Sequence, residues 1–200
     1  MSDATSDPTP RRRRHPKGYS AVKAAQFAAY LLIRGGGMQK LKLAKLLYLA
    51  ERSCAEKHGH VMFHDRYFAI KHGPIPTQAL SGIDGLADQD AWSPNLERDG
   101  NMVRARPERT VEDLDHLSVA DRRIGDELLA KFGGHDGMTA SQIRAWTHTS
   151  LPEYKAKAAA LAAGRSSVEM TPLDLAVGIG HADPQEFAEV NAELRDMAEG

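Results

Sequence analysis

Three histidines lie close together in this chain, His58, His60 and His64, with Asp65 beside the last. Imidazole and carboxylate together are zinc or nickel ligands, but a site needs three or four of them aimed at one point. The spacing matches no closed metal motif. A histidine pair at a helix end also complements the helix dipole, so a solvated turn is the reading adopted and no metal is expected. Ser20-Ala21-Val22-Lys23 has the S-x-x-K spacing of penicillin-recognising enzymes, without the S-D-N or K-T-G that would complete it. Ser20 reads better as a helix N-cap. Cys54 falls on an apolar helix face, where a thiol behaves as a small hydrophobe. Gly35-Gly36-Gly37 lacks the lysine and the strand–helix context of a phosphate loop. No nucleophile–base–orienter set stands out, so neither catalytic residues nor a cofactor are expected.

Nucleic acid is the other chemistry to weigh. Arg11, Arg12, Arg13 and Arg14 form a run that could meet phosphate or dock a partner. Residues 139–158 have a helix-turn-helix rhythm, with Lys155 and Lys157 on the second helix. Against this, formal net charge over 200 residues is −1, a poor balance for a protein that coats nucleic acid. A DNA-binding regulator is kept as the alternative reading.

The elements that would position these residues are mostly helices. Ser20 caps a helix ended by Gly35-Gly36-Gly37. A second runs from about Gln39 to Lys57, with Leu43, Leu46, Leu47, Ala50 and Cys54 on one face. Lys40, Lys42, Lys45, Glu51 and Arg52 lie largely off that seam. Short extended segments are expected over 61–70, then a turn at Gly73-Pro74 and a helix over 77–87. Residues 91–94 and 102–106 flank an Asp99-Gly100 hairpin signal. Ser118 caps a helix to Phe132, Thr139 or Ser141 opens another, and 151–163 continues helically. Asp183-Pro184-Gln185-Glu186 is a capping box that starts a last helix. The fold class expected is mainly α (α+β), a compact helical domain with a small β-hairpin.

Composition sets the organisation. Residues 1–17 hold five basic and two acidic residues with three prolines, and read as part of a disordered basic arm over 1–18. The helical domain is expected over 19–165. A C-terminal extension, 166–200, carries six acids against Arg195 in its last twenty residues. The single cysteine excludes an intrachain disulfide and suits a reducing cytoplasm. The longest apolar run, 27–33, is far short of the ~20 residues of a membrane span, and no secretory signal is expected.

Three blocks taken in order carry a family resemblance. The first is the lysine-leucine helix 40–50, with Lys42, Lys45, Leu46 and Tyr48. The second is 69–76, with His72, Gly73 and Pro74. The third is 143–148, ending in His148, with Pro152 close behind. This order resembles the Panacea domain, the antitoxin family that includes SocA-like proteins, over about 19–160. Two departures are His72, where an aromatic often precedes the Gly-Pro, and Tyr154, which alone stands for the tryptophan or aromatic expected after the Pro152 region. The resemblance implies a non-enzymatic bacterial antitoxin that neutralises a cognate toxin protein by direct contact. It also implies a proteolytic route, with the toxin presented to an ATP-dependent unfoldase–protease of the ClpXP kind. These residues of the three blocks are expected to specify the fold rather than to touch a partner: the leucines and Tyr48 as core, Gly73-Pro74 as a turn.

Overall fold

The computed structural model describes residues 18–197. The arm at 1–17, with Arg11 to Arg14, lies outside them. Helix α1 (Ala21–Gly35) is capped by Ser20 Oγ, which accepts from Lys23 N–H, and Gly36 at φ +78° ends it. A two-residue strand β1 (Met38–Gln39) leads directly into α2 (Lys40–His58). Strands β2 (Tyr67–Ile70) and β3 (Gly73–Pro76) form a hairpin, followed by α3 (Thr77–Ile83) and α4 (Gln89–Trp92). Strands β4 (Leu96–Asp99) and β5 (Met102–Ala105) make a second hairpin across Gly100-Asn101. Then come α5 (Val119–Phe132), α6 (Ala140–Ser150), α7 (Pro152–Lys155), α8 (Ala158–Ala162), β6 (Ser167–Met170), α9 (Pro172–Ile179) and α10 (Pro184–Met197).

The chain is mainly helical with small antiparallel sheets, so the mainly α (α+β) class holds. The sheets exceed the single hairpin expected: the described strands form two sheets, ordered β1-β5-β4 and β3-β2-β6. Three boundaries also differ. Residues 91–92 close α4 instead of entering a strand, and Trp92 is buried against Gly82 of α3. The helix expected over 77–87 stops at Ile83, and the one over 151–163 breaks into α7 and α8.

Helix α2 is the axis of the core, contacted by α1, α3, α5, α6, α9 and β3. Every residue from Lys42 to Glu51 is buried. The single buried seam read from its periodicity is therefore corrected: Lys42 and Lys45 are 3% exposed and Glu51 is 0% exposed. A helix surrounded on all sides has no solvent face to offer its charges, so each must find polar partners inside.

Glu51 does so through the backbone, accepting from the N–H groups of Met62, Phe63 and Asp65. Asp65 in turn accepts from Gln78 and Ala79 N–H at 2.9 and 2.8 Å. It thereby caps α3 from outside, since Pro76 at the N-cap position has no polar side chain.

Residues 166–197 are built into this body. Strand β6 pairs with β2 in the register Tyr67↔Met170, and α9 and α10 bury Leu175, Ala176 and Phe187 against Ala55 and Val61. Asn191 fixes α10 by accepting from Val61 N–H at 2.9 Å.

Candidate functional site

The three sequence blocks meet at one place. Lys45 comes from the first half of α2, His72 from the β2–β3 turn, and Arg144, Thr147 and His148 from one face of α6; the turn expected at Gly73-Pro74 falls instead on Lys71-His72, and Gly73-Pro74 open β3. Gly73 sits at φ +94°, a conformation that glycine adopts without strain. A Cβ there would lie 2.6 Å from Lys45 Nζ and 2.7 Å from Thr147 Oγ1. The glycine thus lets the turn approach α2 and α6 together.

The prolines of β3 have a matching role. Thr77 N–H donates to Arg66 O, and Phe68 pairs with Ile75, so alternation turns positions 74 and 76 away from β2. Both are proline, so the outer edge of β3 carries no N–H at these positions to be left unpaired against α2. What it offers is a carbonyl: Lys45 Nζ lies 3.5 Å from Pro74 O.

Beside this junction is a groove of about 290 Å³. Lys45 and Arg144 supply its cations, His72 an imidazole, and Leu41, Ile70 and Ile75 its apolar walls. A second hollow of about 170 Å³ adjoins it through Gln39 and Ala140, and is lined by Lys42 and His135. Lys42 donates to Gly134 O. No carboxylate lines either hollow among the described residues.

Electrostatics follow from this crowding. Burial, and then the Arg144 charge, push Lys45 down to about 8. Partial desolvation and the same cations lower His148 and His72 as well. His148 stacks on Tyr154, ring centres 4.7 Å apart, and its Nε2 is buried with no hydrogen-bond partner among the described residues. Arg144 reaches back across the turn to Lys71 O at 3.4 Å. The ensemble can hold an anion next to an apolar group.

Two residues that the sequence reading did not single out complete the frame. Glu153 on α7 is fully buried and accepts from Tyr48 Oη and from Arg52 Nε, both at 2.9 Å. Thr147 Oγ1 donates to Arg144 O at 2.8 Å. Arg144, Thr147 and His148 follow i, i+3, i+4 spacing, which is the signal that would have grouped them.

The other sequence candidates fall elsewhere. Among the described residues no three His, Cys, Asp or Glu side chains gather for a metal. His58 and His60 stack on each other, while burial drives His64 down to about 4. Ser20 is an N-cap, and Cys54 is buried with its thiol pushed up to about 12. The helix-turn-helix rhythm is corrected: α7 is a single turn with Glu153 and Tyr154 buried, and Lys157 is paired with Asp174 at 2.6 Å. A four-residue helix cannot serve as a recognition helix. No described helix is long and apolar enough to cross a membrane.

A family model described as antitoxin SocA-like, Panacea domain, matches residues 43–152. No curated protein and no solved structure matches the chain. The matched segment contains Lys45, Gly73-Pro74 and the Arg144–His148 face, and it spans more than half of the 200 residues. The chain belongs to the SocA-like, Panacea-domain family of antitoxins.

Proposed function

We propose that this protein neutralises a cognate toxin protein by direct contact, and that the face around Lys45, His72 and Arg144 takes part in that contact. The observation that carries the reading is that the family segment contains Lys45, Ile70, His72, Ile75 and Arg144 of the groove. Of the two nucleophiles singled out in the sequence, Ser20 Oγ caps α1 and the Cys54 thiol is held protonated by burial, which favours binding over catalysis. Co-expression with the product of the adjacent reading frame tests the reading. Rescue of growth supports it, and unchanged toxicity with both proteins soluble overturns it.

Delivery of the toxin to an ATP-dependent protease of the ClpXP kind is the second part of the proposal. An adaptor needs a surface for the protease apart from the one for cargo. Helices α9 and α10 pack near Ala55 of α2, about 15 Å along the axis from Lys45. They expose Val177, Val190, Leu194 and Met197 among the acids Glu186, Glu189 and Glu193. Replacing Val177 and Val190 with serine should leave toxin affinity unchanged and lengthen the toxin's half-life when the protease is present. An unaltered half-life removes this surface from any delivery step.

A further inference from the structure

The groove beside α6 has an unmet demand for negative charge. Lys45 is 3% exposed, and its ammonium has one distant acceptor, Pro74 O at 3.5 Å. Among the described residues it has no carboxylate partner; the charge acting on it is that of Arg144, and the imidazoles of His72 and His148, both held below the usual histidine range, lie close by. A buried ammonium without counter-charge is costly to maintain, and an arriving anion would recover that cost. Arg144, largely exposed on α6, adds a planar fork suited to a carboxylate.

The surroundings narrow the kind of anion. A nucleic-acid track needs cations spaced along a path, whereas these converge at one point between apolar walls. Phosphate sites are usually built from backbone N–H groups. The edge of β3 next to Lys45 offers none at positions 74 and 76, because both are proline. Leu41, Ile70 and Ile75 instead provide a seat for one apolar side chain beside the charge. A space of about 290 Å³ suits a residue or two, not a folded loop.

We propose that this groove captures the C-terminal carboxylate of a partner polypeptide, seating an apolar last side chain against Leu41, Ile70 and Ile75. Lys45 and Arg144 hold the carboxylate, and the apolar walls select the residue that bears it. The inference rests on the groove being a partner-contacting face, and it identifies the part of the toxin that enters.

The test uses the full chain and N-acetyl-L-leucine as the smallest model of a chain end. Amide chemical shifts are followed during titration, with N-acetyl-L-leucine amide and inorganic phosphate as comparison ligands. The expected result is saturable shifts at Gln39, Ile70, His72, Ile75 and Ser141, with a dissociation constant in roughly the millimolar range. The amide should bind at least about tenfold more weakly, and Lys45→Met or Arg144→Gln should weaken the acid by a similar factor. Arg144→Gln guards against a folding artefact, since that side chain is at the surface. Equal binding of acid and amide, no saturable shift, or stronger shifts with phosphate would each overturn the assignment. None of these outcomes bears on the co-expression rescue, so failure here is distinguishable from failure of the antitoxin reading.

Discussion

Tyr48 Oη donates to Glu153 Oε1 across 2.9 Å, joining the centre of α2 to the first turn of α7, 105 residues later. Both residues are buried, and Arg52 supplies the positive charge that Glu153 requires. Tyr48→Phe removes one hydrogen bond to a charged acceptor and keeps the ring packed on Tyr67. The expected loss is about 1–3 kcal/mol in chemical denaturation. Glu153→Ala strips the partner from Arg52 and Tyr48 together and should cost more, about 3–5 kcal/mol. Equal losses for the two variants would mean that the carboxylate contributes only through Tyr48.

Gly73→Ala combines backbone strain at φ +94° with a Cβ pressed against Thr147 and the Lys45 ammonium. The lysine tip can move, but Thr147 is fully buried on a helix. Gly59→Ala is the control, at φ +73° with nothing within 4 Å of its Cβ. The control should lose about 1 kcal/mol and Gly73→Ala at least twice that, measured by urea unfolding. Similar losses at the two positions would show that the close approach is absorbed without strain.

The buried Asp65 carboxyl should contribute a fall in stability as pH rises through about 7. Burial raises the Asp65 carboxyl to about 7, against the pull of the two α3 N–H groups, and raises Glu51 in the same direction. The folded state then binds more protons than the unfolded chain from the ordinary carboxylate range up to about pH 7, so this contribution is lost as pH rises through that value. His64 and Lys45, lowered to about 4 and about 8, work oppositely, as do His72 and His148, which are also lowered. Comparison with Asp65→Asn isolates the carboxyl. From about pH 6.5 to about 8 the wild-type thermal midpoint should fall relative to that of Asp65→Asn. A wild-type midpoint that rises or holds level relative to the variant refutes the assignment.

Cys54 should resist alkylation in the folded protein. Its thiol is buried and pushed up to about 12, chiefly by desolvation, so almost no thiolate exists at neutral pH. Iodoacetamide labelling followed by mass spectrometry should detect modification only after denaturant is added. Rapid labelling of the native protein would show that the α2 surface opens near Cys54.

Local signals in the sequence determined several helix starts and the helical class. The Ser20, Ser118 and Thr139 caps act within three residues of themselves, so no distant contact is needed to read them. Two further elements were legible in the same terms and went unread. Thr171-Pro172 with Asp174 is a capping box that opens α9, and Ser167 to Met170 alternates polar and apolar residues as β6 does. Tertiary structure alone decided what α2 does with its charges. Periodicity finds one apolar seam and assigns the remaining positions to water, but whether water is there depends on which helices pack around the outside. Lys42, Lys45 and Glu51 are interior because α1, α3, α5, α6, α9 and β3 enclose α2. The groove follows from the same enclosure: Lys45, His72 and Arg144 are up to 99 positions apart, and only the packing of α6 and the β2–β3 turn onto α2 places them around one space.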